Sequence, residues 1–233
     1  MLRNFPYDTL GHANHGWLDA RHHFSFANYR NSDRMGFGAL RVINDDVIAP
    51  GSGFYTHPHR DMEIITYVRK GAITHQDSRG NKGRTAAGDL QVMSAGSGIL
   101  HSEFNLESEE TSIFQIWIFP KRRGIEPKWD SLAFPKEPAN DALPLLVSGD
   151  GVAPLQINQD AWIYGGRLSA GTRLEHKVHT QAYIVVSDGE VEVDGKLLRR
   201  GDGAEVVGVD HFTIDAKTDA ELLVIDVPKM GED

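Results

Sequence analysis

The chain of 233 residues carries 24 basic and 33 acidic side chains, a formal charge of −9, and no cysteine. The missing cysteine excludes disulfides, iron–sulfur clusters, thiolate zinc sites and cysteine nucleophiles, and the acidic balance argues against direct nucleic-acid binding. Apolar residues make up 40%, ample core for one large or two small domains.

The first residues, Met1-Leu-Arg-Asn-Phe-Pro-Tyr-Asp8, hold no apolar stretch of signal-peptide length. No stretch approaches the ~18–20 apolar residues of a membrane span, so a cytoplasmic protein with no membrane association is expected. Residues 1–36 set His12, His15, His22 and His23 among aromatics without a clear period. Each is read either as part of a pocket wall or, more ordinarily, as a packing or loop residue with satisfied hydrogen bonds.

From Phe37 the pattern turns to strands. Phe37-Gly-Ala-Leu-Arg-Val-Ile43 is apolar and Asn44-Asp45-Asp46 reads as a turn. Ile64-Ile-Thr-Tyr-Val68, a turn at Gly71, Ala72-Ile-Thr-His75 and the polar turn Asp77-Ser-Arg-Gly-Asn81 follow. Leu90-Gln-Val-Met93 comes next, then the glycine-rich Ser94-Ala-Gly-Ser-Gly98. Ile113-Phe-Gln-Ile-Trp-Ile-Phe119 is apolar throughout, which predicts burial on both faces. Short strands punctuated by turns, with almost no helical period, predict an all-β antiparallel sandwich or barrel.

Pro120 to Pro144, rich in Pro, Lys, Arg and Glu, reads as a connector, and Lys121-Arg122-Arg123 as solvated surface. Beyond it the pattern repeats. Tyr183-Ile-Val-Val186 before Gly189 echoes Tyr67-Val68 before Gly71, and Arg200-Gly201-Asp202 echoes Ala87-Gly88-Asp89. The expected organisation is therefore an N-terminal domain over 1–130 and a second copy over 131–233. Aligning Gly71 with Gly189 places Glu175, Lys177 and Gln181 opposite His57, His59 and Glu63. A lysine at a ligand position predicts that the second copy has lost any metal, leaving His176, His179 and His211 in structural or exposed roles.

The chemistry concentrates in Gly51-Ser-Gly-Phe-Tyr-Thr-His-Pro-His-Arg-Asp-Met-Glu63 and in His101-Ser-Glu-Phe-Asn105. On an extended strand His57 and His59 point the same way, about 6–7 Å apart, and His101 and Glu103 share a parity on theirs. Two such pairs on facing strands can close three imidazoles and one carboxylate around a divalent transition metal, a donor set unlike those of calcium or magnesium. Four protein ligands leave a position open on an ion that takes five or six, which is a catalytic feature.

This spacing resembles the two cupin motifs, and the chain as a whole resembles a bicupin of the pirin family. The residues that carry the resemblance are Gly11-His-Ala-Asn-His-Gly-Trp-Leu-Asp19, His23-Phe-Ser-Phe26, Gly36-Phe37, Arg41-Val-Ile-Asn-Asp-Asp46, His57-Pro-His-Arg-Asp-Met-Glu63, His75-Gln-Asp-Ser78, Met93-Ser-Ala-Gly-Ser-Gly98, His101-Ser-Glu103 and Gln115-Ile-Trp-Ile118. They span most of the first 120 residues; the C-terminal half matches in layout. Ser94 stands where the general second cupin motif has proline, a departure that fits pirin-like proteins.

The resemblance implies two tandem cupin domains, jelly-roll-like antiparallel barrels. It also implies one divalent metal, iron(II) first, with copper, nickel, cobalt, manganese or zinc accepted by the same ligands. The general cupin pattern makes Glu63 the carboxylate ligand, whereas pirin-like proteins use the position of Glu103. On a straight strand Glu63 lies about 13 Å beyond His59, which favours Glu103. The expected ligands are His57, His59, His101 and Glu103, with Glu63 behind them, holding an imidazole N–H or Arg60.

Bacterial members include quercetin 2,3-dioxygenases, which open the flavonol heterocycle with dioxygen and release carbon monoxide. By that resemblance the substrates are a flavonol-like molecule and O2, and Glu103 is the catalytic base. No substrate contact is assigned from sequence. Trp17, Phe24, Phe26, Phe37, Phe54, Met93 and Phe104 are candidates for apolar walls, core packing being the ordinary role of each. The family also contains regulatory proteins that act on a protein partner through a metal-dependent switch, without flavonol turnover. A sugar-phosphate isomerase, the activity of other bicupins, would need a basic cluster, and only Arg60 adjoins the ligands in sequence.

Overall fold

The computed structural model describes residues 1–230, so positions 231–233 of the expected C-terminal domain lie outside the described residues. The first half comprises β1 (Leu2–Phe5), β2 (Gly11–Asn14), β3 (Leu18–His22), β4 (Leu40–Ile48), β5 (Gly53–His59) and β6 (Glu63–Lys70). It continues with β7 (Ala72–Asp77), β8 (Lys82–Ala86), β9 (Leu90–Ser94), β10 (Ile99–Phe104), β11 (Thr111–Ile118) and β12 (Lys128–Leu132). The second half comprises β13 (Leu145–Ser148), β14 (Leu155–Gln156), β15 (Trp162–Leu168), β16 (Arg173–Lys177) and β17 (Ala182–Asp188). It ends with β18 (Glu190–Val193), β19 (Lys196–Arg199), β20 (Gly203–Val206), β21 (His211–Ala216) and β22 (Ala220–Asp226). One 3-10 turn, Tyr7–Thr9, is the only helical element among the described residues, and no helix there is long and apolar enough to cross a membrane.

The fold is all-β, two sandwiches in tandem. In the first, a seven-stranded sheet ordered β12-β9-β6-β11-β4-β3-β2 faces a four-stranded sheet ordered β5-β10-β7-β8. The second repeats the plan with β1-β20-β17-β22-β15-β13-β14 and β16-β21-β18-β19. The run β9-β6-β11-β4 recurs as β20-β17-β22-β15, and β5-β10-β7-β8 recurs as β16-β21-β18-β19, so the internal repeat extends to strand order. Gly71 and Gly189, with φ of 73° and 74°, make the same left-handed turn in the two copies.

The chain's division departs from a cut at 130. Strand β1 pairs with β20, so the N-terminus completes the second sandwich's sheet. The stretch read as a connector contributes β12, which pairs with β9 at the edge of the first sandwich. Its proline- and charge-rich composition hides one edge strand, where a single face needs apolar cover.

Alternation along the central strands explains the double burial expected of β11. Phe114, Ile116 and Ile118 enter a core shared by the two sandwiches, together with Ile43, Ile65 and Tyr67 from one half and Ile163, Tyr183, Val185, Leu223 and Ile225 from the other. The alternate residues Ile113, Gln115 and Trp117 turn into the first sandwich. Polar ties reinforce the seam. Arg34 pairs with Glu205 and donates to the Tyr183 hydroxyl at 3.1 Å, while Tyr67 Oη donates to Glu221 at 2.6 Å.

The interiors of the two sandwiches differ. The second is filled with Leu168, Leu174, Val178, Ile184, Val193, Phe212, Ile214 and Val224. The first encloses a cavity of about 680 Å3 lined by histidines, aromatics and carboxylates.

Candidate metal centre

Strands β5 and β10 run antiparallel with His101 opposite His57 and Ile99 opposite His59. A bulge between His101 and Glu103 shifts the register so that Glu103 faces Phe54. The inward side chains converge: His57, His59 and His101 each present a nitrogen, all within 4.8 Å of one another. Glu103 belongs to a second, overlapping group with His75 and His101, defined by the same 4.8 Å span. The structure thus brings the three expected histidines together and sets the expected carboxylate beside them through the shared His101.

Hydrogen bonds at the remote ring nitrogens fix the tautomers. His57 Nδ1 lies 2.6 Å from the Tyr55 carbonyl oxygen, so it carries the proton and leaves Nε2 with a lone pair. Behind His101 stands a buttress: its Nδ1 lies 3.5 Å from His75 Nδ1, and His75 Nε2 lies 3.0 Å from Asp77 Oδ2. Asp77, an acceptor, takes the His75 Nε2–H, so His75 Nδ1 in turn accepts from His101 and frees His101 Nε2. Asp77 is itself anchored by the backbone N–H groups of Arg79 and Asn81 at 2.9 and 3.1 Å. Trp129 stacks on His75 with ring centroids 4.9 Å apart and planes 9° apart.

Two lone pairs, on His57 Nε2 and His101 Nε2, then face each other at 3.1 Å. Burial, then the neighbouring imidazoles, pushes His101 down to about 3 and His59 down to about 4. A cation reconciles them. Nitrogen ligands at ~2.0–2.1 Å from one ion stand about 3 Å apart when adjacent. The donor set fits a divalent transition metal.

Glu103 is buried and held by uncharged donors from the facing sheet. Its Oε1 accepts from Thr66 at 3.0 Å and Gln91 at 2.7 Å, and its Oε2 accepts from Gln115 at 2.8 Å. Of a carboxylate's roughly four lone-pair sites, one remains open, on Oε2.

Glu63 behaves otherwise than expected. Its Oε2 accepts from Ser94 Oγ at 2.5 Å and from the Asn158 backbone N–H at 3.1 Å. It ties the first sandwich to the second rather than holding an imidazole or Arg60, because it opens β6, against β9 and the seam. Burial raises its pKa, opposed by those two hydrogen bonds.

The aromatic candidates separate cleanly. Trp17, Phe26 and Phe54 line the cavity, whereas Phe24 and Phe37 enter the shared core, Met93 packs with Ile64 and Ile99, and Phe104 packs edge-on to Tyr55. Trp117 and Tyr29 line it unanticipated, Trp117 standing edge-on to His59 at 4.9 Å. Of the four N-terminal histidines, His12, His15 and His22 are wall residues, while His23 is buried against Tyr183. Asn44 and Asp46, read as a turn, lie within β4 and also line the cavity. His75, Asp77 and Gln115 fell inside the family-like motifs but lie on β7 and β11, and only the pairing of those strands brings them to the site.

The second sandwich shows what becomes of the equivalent positions. Glu175 and Lys177 are exposed, one residue out of phase with the inward positions. The cross-strand pair His57–His101 is matched by His176–Phe212, and Glu103 by Ile214. Burial pushes His176 down to about 4, and its ring packs edge-on to Tyr164 at 4.8 Å. His179 stacks on Trp162 at 4.0 Å, and His211 is exposed.

Two sandwiches of this strand order, one with a histidine-lined interior, define a bicupin. Residues 5–118 match the Pirin family model, and residues 145–227 match the quercetinase C-terminal cupin domain. The chain belongs to the pirin family. A Caulobacter vibrioides protein called pirin-like is 53% identical over 97% of this chain and 99% of its own. Quercetin 2,3-dioxygenase of Escherichia coli K12 is 45% identical over 94% and 95%. The crystal structure of the bacterial pirin YhhW from Escherichia coli in complex with nickel(II) superposes with a TM-score of 0.92, at 43% identity over 99% of this chain and 100% of that one.

Proposed function

We propose that this protein is a metal-dependent dioxygenase of the quercetin 2,3-dioxygenase type, opening a flavonol heterocycle with O2 and releasing carbon monoxide. His57, His59 and His101 would hold the ion, and the one uncommitted Oε2 lone pair of Glu103 would serve as a ligand before substrate enters and as the base afterwards. The observation that carries the reading is the convergence of three imidazoles on an aromatic-walled cavity of about 680 Å3, within the range of small-molecule sites. The names of the E. coli relative and of the C-terminal family model support the reaction class.

The ion, when bound, supplies Lewis acidity that lowers the pKa of a flavonol 3-hydroxyl. The rest falls to the chain. Trp17, Phe26, Phe54 and Trp117 give a planar aromatic ligand apolar faces and exclude water. Glu103 takes the hydroxyl proton at Oε2, whose free lone pair is the one not committed to Thr66, Gln91 or Gln115. Those uncharged donors hold the carboxylate in position. Asp77 and His75 keep His101 in the ligating tautomer.

The test loads the protein separately with iron, manganese, cobalt, nickel and copper and follows quercetin absorbance and carbon monoxide under oxygen. Turnover with at least one metal, lost in His101→Ala, is expected. No turnover with any of them overturns the proposal.

A further inference from the structure

The cavity has two opposed walls. His57, His59 and His101 stand on the four-stranded sheet, while Asn44, Asp46 and Gln115 project from the seven-stranded sheet across from them. Strand β4 alternates there: Asp45 turns outward to pair with Arg69, and Asn44 and Asp46 turn in. Among these three residues the polar groups are satisfied except at Asp46, and Trp117 Nε1, further along β11, is also without a partner. Asn44 Oδ1 meets His22 Nδ1 at 2.8 Å, and Gln115 Nε2 donates to Glu103. Asp46 is 2% exposed, and among the described residues no hydrogen-bond partner reaches its buried Oδ1.

Burying a polar atom with no partner is costly, and native chains rarely do so. Here the atom belongs to a side chain that lines the cavity, and a turn of the carboxyl about Cβ–Cγ brings it to a ligand that can supply what the protein does not. Burial, then the nearby Asp45 and Glu103 carboxylates, raises the Asp46 pKa well above the usual range, against the opposing effect of Arg69. That shift favours the protonated form, and in either form a carboxyl oxygen can accept a hydrogen bond.

We propose that Asp46 is a substrate-contacting residue whose carboxyl exchanges a hydrogen bond with a ring hydroxyl of a planar, polyhydroxylated aromatic ligand. The inference rests on the flavonol reading of the cavity and adds a specificity determinant on the wall opposite the histidines. It selects for a hydroxyl at one ring position, because a ligand lacking it leaves the carboxyl buried and unpaired.

Nickel-loaded wild-type protein, Asp46→Asn and Asp46→Val are titrated without oxygen against quercetin and against flavonols each lacking one ring hydroxyl. The asparagine variant keeps a donor and an acceptor and binds quercetin like wild type. The valine variant binds quercetin about 10- to 100-fold more weakly. That deficit vanishes for the one analogue without the hydroxyl that Asp46 meets. A deficit of equal size against every analogue, no deficit at all, or no flavonol bound by wild type overturns the proposal. Metal-free Asp46→Val should melt at or above the wild-type temperature, since it removes an unpaired buried oxygen. A fall of several degrees would mark the carboxyl as framework and overturn the assignment as well. Admitting oxygen separates the two readings: selective binding without turnover removes the dioxygenase and leaves Asp46 its contact, whereas turnover with unselective binding does the reverse.

Discussion

Replacing His23 by glutamine isolates one buried imidazole in the acid stability of the whole chain. His23 is 1% exposed, with Nδ1 3.0 Å from the Tyr183 hydroxyl across the seam and Nε2 without a partner. Burial, then the Arg34 charge, pushes its pKa from 6.5 to about 3. Between those values the unfolded chain holds a proton that the folded chain lacks, so stability rises with pH across the window and is lost as pH falls. At 1.36 kcal/mol per pH unit the loss is about 3 kcal/mol by pH 4.5, and nearly 5 kcal/mol at its ceiling near pH 3. Glutamine carries no such proton. At pH 7.5 the variant should be less stable by about 1–2 kcal/mol, from the altered contact with Tyr183. The two stability curves should then converge and cross between about pH 5 and 6. Urea titrations of metal-free protein, followed by tryptophan fluorescence at half-unit pH steps, give both curves, and the other histidines cancel in the difference. Parallel curves from pH 7.5 to 4.5 would show that His23 does not titrate between the two states, and the account of the seam would be wrong.

The remaining predictions concern the centre and the repeat. His101→Ala should purify without stoichiometric metal, whereas Glu63→Gln should keep wild-type affinity, because Glu63 bonds to Ser94 and Asn158 rather than to a histidine; elemental analysis and chelator competition read both. Asp77→Asn weakens the anchor of His75 and should cost roughly 10-fold or more in metal affinity, with the fold retained by circular dichroism. Gly189→Ala puts a Cβ 2.1 Å from the Asp219 carbonyl oxygen at a φ of +74°, and should destabilise by at least about 2 kcal/mol in urea.

The strands were legible because period-two alternation and turn glycines are local signals, and the repeat was legible because both copies use them alike. Register across the repeat was not. The segment from His57 to Gly71 is one residue longer than the segment from His176 to Gly189. An alignment on the glycines therefore lands on Glu175 and Lys177, and a slip of one on a strand exchanges inside for outside. The candidate ligands were legible for the converse reason: His57 and His59, and His101 and Glu103, each lie two residues apart on one strand, where parity needs no alignment. Asp46 sits on another strand and reaches the cavity only through tertiary pairing, as His75 and Gln91 reach His101 and Glu103. Strand β12 escaped because an edge strand with one covered face can carry lysine and aspartate on the other.

The contrast between the two interiors gives the repeat its physical sense. A cavity of about 680 Å3 holding imidazoles, Asp46 and Glu103 cannot supply the apolar burial that a sandwich of this size needs. The missing burial lies on the other side of the same strands. Phe114, Ile116 and Ile118 of β11 alternate with cavity-facing Gln115 and Trp117, and they pack against the outward faces of β17 and β22. The second sandwich keeps an apolar filling and lends its outer face as a platform. Apolar Phe212 and Ile214 at the positions matching His101 and Glu103 fit that role, because unpaired polar atoms inside the second sandwich would weaken the body that carries the platform. On this view the first sandwich draws on its neighbour's outer face for the apolar burial that its own cavity gives up.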